Sequence, residues 1–374
     1  MAAAADLASR MRQELTLTGH ALPFAWFMER ALYDPEAGYY EQSPRVVGRK
    51  GDFYTSVSVG PLLGELLGFQ FAHWLAELPG PEILLIEAGA HQGHLAADLL
   101  EFLERYAPKE ATRIRLCLVE PSPRRRTWQE ETLARWRPQI DWFTSLAELR
   151  ARHPNRPGIL YANELLDAFP VHRVAWNRSH QHWQELGVGL KDNAFVWQPL
   201  STPSLEAVPG LEQLQQLPVE LLAVLPDGFC TELAPAATSW WREAAQSLDA
   251  GWLVTLDYGL EAEEFLLPQR AEGTLRSYSR HRPGGSPLQG PGTQDLTAHI
   301  HWTELQREAE SVGWITEHLT RQRHWLTDLM SRTLKSPTRF PNWDAARVRQ
   351  FQTLTHPEHL GQAFRVLVQR RDAR

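Results

Sequence analysis

The chain has few cysteines, no long apolar run and no strong excess of charge. Its 374 residues include two cysteines, Cys117 and Cys230, and both lie inside apolar, strand-like runs. Because there is no framework of spaced pairs, we expect two buried thiols in a reducing compartment rather than disulfides. The formal net charge of −7 gives no support for a dedicated nucleic-acid binder.

Targeting and membrane signals are also missing. No stretch approaches the roughly 20 apolar residues needed to cross a bilayer. The N-terminal sequence MAAAADLASRMRQEL has no long apolar segment and is not typical of a secretory or transit signal. We therefore predict a cytoplasmic protein with neither a membrane nor a nucleic-acid partner.

Several catalytic signatures are absent. The sequence contains no Gly-x-Ser-x-Gly, no His-Glu-x-x-His and no Walker loop. Asp295, His299 and His301 lie close together, but no further carboxylate–histidine spacing supports a metal site, so we predict none. The densest basic stretch, Arg124–Arg126, is typical of a solvated helix start.

What the sequence does contain is an alternation of strands and helices. Four apolar strands are recognisable at 83–87, 114–120, 158–163 and 252–257. Two helices are recognisable at 94–106 and 124–136. This alternation predicts an α/β fold with a mainly parallel, Rossmann-like sheet covered by helices on both faces. We predict an N-terminal helical cap with a cofactor-covering loop over 1–80 and a core over 81–374, with an insertion at about 177–230.

The stretch from residue 83 to 95 carries the strongest local signal. Its strand ends in Glu87, and a loop with Gly89 and Gly93 leads into a helix. Such a loop lets backbone amides approach a nucleotide closely. The middle position is His91, where a regular Gly-x-Gly-x-Gly loop has glycine. The His91 side chain must either point away from a nucleotide or narrow its site.

Two other strand ends carry polar residues. Glu120 closes the second strand, where a carboxylate accepts hydrogen bonds from ribose hydroxyls in nucleoside-binding folds; a helix cap or turn is the alternative role. Asn163 and Glu164 follow the third strand, at the edge where ligands bind. On a helical turn, Glu164 and Asp167 would share a face and hold a guanidinium. The alternative is a helix N-terminus that favours acidic residues.

Taken in order, these motifs resemble the MidA-like, S-adenosylmethionine (SAM)-dependent methyltransferases, a family that includes mitochondrial complex I assembly factors. The resemblance runs from about residue 19 to 369 and rests on eight segments. They are GHALPFAWFMERALYDPEAGYY (19–40), GDFYTS (51–56), GELLG (64–68), EAGAHQGHL (87–95), VEPSPRRRTWQ (119–129), ANELLDAFPVHR (162–173), LDYG (256–259) and GTLRSYSRHRPGGSPLQGPGTQDLTAH (273–299). The resemblance implies a class I methyltransferase fold with an N-terminal helical cap and an inserted subdomain.

The resemblance also implies SAM as the cofactor and roles for individual residues. The loop after the first strand would line the methionine end of SAM, Glu120 would bind the ribose, and the segment 51–55 would close over the cofactor. The implied cofactor-binding residues are Glu87, Gly89, His91, Gly93, Glu120, Gly51, Asp52, Tyr54 and Thr55.

The implied catalytic residues are Asn163, Glu164 and Asp167, which would border the methyl-transfer site. Mitochondrial relatives are regarded as protein-arginine methyltransferases, so the resemblance suggests a protein arginine as the acceptor. Its nitrogen would attack the sulfonium methyl in line, and catalysis would be mostly positioning and desolvation. A carboxylate is needed to orient a guanidinium, and we predict Glu164 for this, with Asp167 second.

Two other functions are compatible with the sequence. A divergent relative that no longer catalyses would act as a binding or assembly protein. His91 in the loop and the absence of a Pro-Glu pair at 57–58 favour this alternative. A nicotinamide-dependent dehydrogenase rests on the glycine loop alone. The sequence leaves both a monomer and a homodimer open.

Overall fold

The computed structural model describes residues 2–42, 55–200, 208, 210–279, 282–358 and 360–373. These residues form two units, and each unit is assembled from three stretches of chain. The first unit consists of Met1–Val46, Asp167–Ser239 and Leu260–Thr303, and the second of Val47–Leu166, Trp240–Gly259 and Glu304–Arg374.

The second unit is built on a sheet whose main path has seven strands. From one edge to the other they are Ile315–Arg321, Phe364–Arg371, Ala250–Leu260, Pro157–Asn163, Ile83–Ala88, Ile114–Val119 and Ile140–Phe143. The last five are parallel to one another, whereas Phe364–Arg371 is antiparallel to both of its neighbours. The predicted α/β fold with a mainly parallel sheet is therefore confirmed.

The central strands are apolar because both of their faces are covered. All six residues of Ile83–Ala88 are buried, which is the pattern of a parallel strand between two helical layers. The helices that belong wholly or partly to this unit are Leu62–Glu77, His94–Tyr106, Pro108–Ala111, Pro123–Thr132, Leu146–Arg152, Pro235–Gln246, Trp302–Glu310, Gln322–Leu334, Ala345–Thr355 and Leu360–Ala363, with 3₁₀ turns at Val57–Val59, Ala134–Gln139 and Leu166–Ala168.

The first unit has its own antiparallel sheet. Its strands are Leu22–Pro23, His182–Lys191, His172–Asn177 and Cys230–Leu233 in hydrogen-bonded order, and Ala194–Pro199 also pairs with His182–Lys191. A smaller sheet joins Arg282–Pro283, Arg276–Ser279 and Asp295–Thr297. The remaining elements include the short strand Ile300–His301 and 3₁₀ turns at Tyr39–Glu41 and Pro268–Arg270. The helices are Ala2–Thr18, Phe24–Tyr33, Leu211–Gln215, Val219–Val224 and Ala262–Phe265.

The predicted boundary at residue 80 does not coincide with these units. Helix Leu62–Glu77 belongs to the second unit because it packs into the core of the parallel sheet, where the Phe71 ring lies 5.4 Å from the ring of Tyr161. The predicted insertion at about 177–230 is likewise part of a longer stretch, Asp167–Ser239, in the first unit. Within the described ranges, no helix is both long and apolar enough to cross a membrane.

Candidate functional site

Three strands of the second unit end side by side. Ala88 is paired with Val119 on one side and with Ala162 on the other. Because the three strands are parallel, the loop after Ala88, Glu120 and Asn163 leave the sheet at the same level. This is the edge at which open α/β sheets bind ligands.

The loop after the first strand has an unusual backbone. Gly89, His91 and Gly93 all have positive φ, at 72°, 49° and 81°. A Cβ added to Gly89 would lie 2.7 Å from Leu165 Cδ1, so no larger residue fits there without displacing that side chain. His91 adopts the left-handed conformation that glycine favours. The loop therefore keeps the backbone course that a middle glycine would allow.

The His91 ring packs against the helix Pro123–Thr132. Its centroid lies 5.8 Å from that of Trp128. Burial, together with smaller effects of the nearby charges of Arg125 and His94, lowers the pKa of His91 to about 4. The imidazole is therefore uncharged at neutral pH.

Glu87 lies at the end of the first strand and is 3% exposed. The Tyr161 hydroxyl on the neighbouring strand donates a hydrogen bond of 2.8 Å to Glu87 Oε2. Burial raises the pKa of Glu87 to about 8, and the hydrogen bond from Tyr161 opposes this shift. Near pH 7 the carboxyl group is mostly protonated, and a nearby cation would favour its ionised form.

Glu120 is also buried, at 3% exposure, and it is held by three donors. Its Oε1 accepts hydrogen bonds from the Ser122 backbone N–H and from Arg125 Nε, both at 2.9 Å. Its Oε2 accepts one from Gln129 Nε2 at 3.1 Å. Burial raises the pKa of Glu120, whereas Arg125 and the other donors lower it. The predicted alternative roles, ribose ligand and turn residue, are thus compatible here, because the Ser122 contact closes a turn.

Gln129 links this carboxylate to the loop. The side chain is fully buried, and its Nε2 also donates to the His91 carbonyl at 3.1 Å. Its Oε1 accepts a hydrogen bond of 3.0 Å from Trp142 Nε1, on the edge strand Ile140–Phe143. Both N–H groups and the oxygen of the Gln129 amide are hydrogen-bonded. The side chain therefore ties together the loop, Glu120 and the strand Ile140–Phe143.

Two residues of this network escaped the sequence analysis. The stretch Arg124–Arg126 was predicted to be a solvated helix start, but Arg125 is only 9% exposed and paired with Glu120, which corrects that interpretation. Gln129 is the last residue of the segment VEPSPRRRTWQ (119–129), but the sequence assigned it no role in the site.

Glu164 follows the third of these strands in a strained conformation. Its φ is +52°, which is uncommon for a residue with a side chain. Its backbone N–H donates to the Leu256 carbonyl at 2.9 Å. Its carboxylate Oε1 accepts hydrogen bonds from the Ser56 N–H at 2.7 Å and from Asn163 Nδ2 at 3.1 Å. These contacts hold both the backbone and the carboxylate in place.

Two buried polar atoms lie on residues that flank this carboxylate. Ser56 Oγ and Asn163 Oδ1 have no hydrogen-bond partner within the described part of the chain. Buried polar atoms are nearly always paired in native proteins. Their position next to Glu164 is therefore suited to polar groups of a ligand.

The predicted helical pairing of Glu164 with Asp167 is wrong. The 3₁₀ turn begins at Leu166, after Glu164, and the left-handed backbone at Glu164 breaks any helical continuation towards Asp167. Asp167 belongs to the first unit, where its carbonyl accepts a hydrogen bond of 2.9 Å from the Ala298 N–H. The charge of Asp167 is also one cause of the raised pKa of Tyr40, after burial and Asp295.

The remaining predicted residues are only partly described. Thr55 Oγ1 accepts a hydrogen bond of 3.2 Å from the Ser58 N–H, in the 3₁₀ turn that precedes helix Leu62–Glu77. Gly51, Asp52 and Tyr54 lie outside the described residues.

The three residues that were considered for a metal site, Asp295, His299 and His301, lie in other environments. Asp295 accepts a hydrogen bond of 2.8 Å from the Tyr40 hydroxyl, and the His301 ring stacks on Phe265 at 4.8 Å between centroids. Burial lowers the pKa of His299 to about 4. Across the described ranges, no group of three or more His, Cys, Asp or Glu side chains is arranged to hold a metal ion.

Comparison with known proteins places the chain in a family. Residues 66–320 match the family of S-adenosyl-L-methionine-dependent methyltransferases, which is more than half of the chain. The chain belongs to this family. Its coarse activity is SAM-dependent methyl transfer and its cofactor is SAM, as the resemblance implied. The narrower MidA-like assignment remains a prediction.

Individual relatives agree with this assignment. The chain is 26% identical over 373 residues to the mouse protein arginine methyltransferase NDUFAF7, mitochondrial, a match that covers 91% of this chain and 79% of that protein. It is 28% identical over 327 residues to the Drosophila melanogaster homolog, covering 82% and 71%. A crystal structure from Burkholderia thailandensis, bound to S-adenosylhomocysteine, has a TM-score of 0.83 and 28% identity, covering 100% of this chain and 94% of that one.

These relatives contradict one sequence prediction. The curated proteins from mouse, rat, fly and human are labelled mitochondrial, which conflicts with the predicted cytoplasmic location. The prediction failed because it rested on the absence of a recognisable signal, and such an absence does not identify a compartment.

Proposed function

We propose that this methyltransferase transfers the methyl group of SAM to an arginine side chain of a protein, with Glu164 as the residue that orients the acceptor. Membership of the family supplies the coarse reaction. The arginine acceptor is supported by the names of the mouse and fly relatives. The position and fixed carboxylate of Glu164 support its role.

The residues at this edge of the sheet fit the cofactor. The loop has glycine at 89 and 93 and a left-handed backbone at His91, which suits a close approach of its amides to a ligand. Glu120 offers a carboxylate for the ribose, and Glu87 can ionise beside a cationic methionine end. The buried polar atoms Ser56 Oγ and Asn163 Oδ1 offer further hydrogen bonds. SAM, when bound, supplies a methyl group on a sulfonium that a nitrogen nucleophile attacks in line.

Glu164 would act by orientation and charge. Two donors hold its Oε1, so the carboxylate cannot rotate freely. A carboxylate fixed in this way binds a guanidinium through charge-assisted hydrogen bonds and stabilises the positive charge during transfer. The strained backbone at Glu164 is the observation that carries this role, because such strain concentrates at functional sites.

The alternative of a non-catalytic assembly protein loses one of its two supports. That support was His91 in place of the middle glycine, and the His91 backbone takes the left-handed course that a glycine would take. Its ring packs against Trp128 on the neighbouring helix. Histidine in place of glycine at position 91 therefore does not require that the loop block the cofactor site.

The test replaces Glu164 by glutamine. Glu164→Gln keeps the size of the side chain and the acceptor for the Ser56 N–H but removes the charge. We expect methyl transfer to arginine-containing proteins, followed by mass spectrometry, to fall by about 100-fold or more, with binding of S-adenosylhomocysteine changed by less than about threefold. Glu131→Gln, an exposed position on helix Pro123–Thr132, is the control. Full methyl transfer by Glu164→Gln with intact binding would refute the role of Glu164.

A further inference from the structure

The hydrogen bonds already made by Glu120 limit what else it can accept. An ionised carboxylate has about four acceptor positions, two on each oxygen. Oε1 uses both of its positions, for the Ser122 N–H and Arg125 Nε, and Oε2 uses one, for Gln129 Nε2. Counting the donors in the described part of the chain, one position, on Oε2, remains for a ligand.

Arg125 is fixed opposite the carboxylate by the start of its helix. The Ser122 side chain accepts a hydrogen bond of 3.2 Å from the Arg125 backbone N–H, which caps helix Pro123–Thr132 and sets the direction of its first turn. The Arg125 and Glu120 side chains are 10% and 2% exposed. Breaking an ion pair this deeply buried is strongly unfavourable, so we expect the pair to persist when a ligand binds.

We propose that Arg125 restricts Glu120 to one ribose hydroxyl, so that the protein depends on one of the two hydroxyls of SAM and tolerates the loss of the other. This inference rests on the proposed role of Glu120 as the ribose ligand. A carboxylate with both oxygens available accepts one hydroxyl on each. Here the oxygen that would take the second hydroxyl is filled by the guanidinium and the backbone amide.

The first test uses the unmodified protein. Titration calorimetry compares S-adenosylhomocysteine with its 2′-deoxy and 3′-deoxy analogues. We expect one analogue to bind about tenfold to 150-fold more weakly, as for the loss of a hydrogen bond to a charged acceptor, and the other to bind within about threefold. Comparable losses of tenfold or more for both analogues would overturn the proposal, because Glu120 would then accept both hydroxyls.

A different result would separate this inference from the proposed function. If S-adenosylhomocysteine binds but neither analogue loses affinity, Glu120 takes no hydroxyl. An unchanged affinity in Glu120→Gln would confirm that outcome. Both results would overturn the inference together with the ribose role of Glu120 and leave the role of Glu164 untouched. If S-adenosylhomocysteine does not bind at all, the cofactor site itself is refuted.

The second test removes the guanidinium that occupies Glu120 Oε1. Arg125→Met keeps much of the side-chain volume and frees Oε1, so the analogue that the unmodified protein tolerates should now bind about tenfold more weakly than S-adenosylhomocysteine. Arg124→Met, at the exposed neighbouring position, is the control and should leave the preference unchanged. A folded Arg125→Met protein, checked by circular dichroism, with the original preference would overturn the role of Arg125. If Arg125→Met does not fold, the comparison of analogues on the unmodified protein still decides the proposal.

Discussion

A substitution at Gln129 tests the hydrogen-bond network of the site without changing a proposed cofactor ligand. Gln129→Met preserves the length of a fully buried side chain while removing its hydrogen bonds to the His91 carbonyl, Glu120 Oε2 and Trp142 Nε1. The His91 carbonyl and the Trp142 indole N–H must then find other partners. A buried polar group that loses its partner costs about 1–3 kcal/mol.

The expected loss of unfolding free energy follows from this count. Two neutral groups at that cost give about 2–6 kcal/mol, with the lower part of the range expected where the loop relaxes, and the weakened bond to the charged Glu120 adds to this loss. Because the loop and Glu120 are no longer tied together, we also expect S-adenosylhomocysteine to bind about tenfold more weakly. Gln129→Glu should lower the free energy of unfolding more than Gln129→Met does, because it places a second carboxylate beside Glu120.

The assay has to separate the loop from the rest of the protein. Hydrogen exchange followed by mass spectrometry reports protection of the loop 88–93 and of the strand Ile140–Phe143 separately, and calorimetry gives the affinity. The matched control is Gln352→Met, an exposed glutamine in helix Ala345–Thr355 of the same unit. If Gln129→Met keeps the protection of the loop and binds the ligand within about threefold of the unmodified protein, the reasoning is refuted.

Four further predictions concern the loop and Glu87, on the strand that precedes it. Burial raises the pKa of Glu87 to about 8 from an ordinary value of 4.5, so the folded protein keeps a proton that the unfolded chain has lost; the free energy of unfolding should therefore fall as the pH rises between those values, and urea titrations should show a smaller fall for Glu87→Gln. Binding of cationic SAM should release a proton near neutral pH, which calorimetry in buffers of different ionisation enthalpy detects, and this release should be smaller in Glu87→Gln. His91→Gly should change the unfolding free energy by less than about 1 kcal/mol, whereas His91→Val, which is strained at a φ of 49°, should lose more; equal stability of the two variants would contradict the left-handed assignment. Gly89→Ala should weaken S-adenosylhomocysteine binding by about tenfold or more, because its Cβ would meet Leu165 Cδ1 at 2.7 Å, and an unchanged dissociation constant would argue against that close approach.

The strands of the sheet were predictable because their signal is local. A parallel strand covered on both faces is a continuous apolar run, so the predicted strand at 83–87 corresponds to Ile83–Ala88 and the one at 158–163 to Pro157–Asn163. The acidic and polar residues that follow such runs mark the ligand-binding edge without any knowledge of distant contacts. Glu120 could be placed at this edge for the same reason.

The partners of those residues were not predictable, because they depend on the direction in which a helix leaves the strand. Arg125 and Arg124 are adjacent and chemically identical in the sequence, yet the Ser122 cap turns one onto Glu120 and leaves the other exposed. The pairing of Glu164 with Asp167 failed for a related reason. Spacing of three implies a shared face only where the backbone is helical, and a positive φ is not encoded by the residue Glu.

The unusual histidine of the loop and the buried arginine belong to one electrostatic arrangement. Arg125 is one of the charges that keep the His91 imidazole neutral, and its own charge is compensated by Glu120. Glu87 is mostly protonated near neutral pH, so before a ligand binds it adds little charge beside the compensated Arg125–Glu120 pair. SAM bears one more positive charge than its demethylated product, and Glu87, with a pKa of about 8, can ionise in response to that difference. Loss of the methyl group should therefore return a proton to Glu87 and weaken the attraction for the product, which favours its release after each transfer.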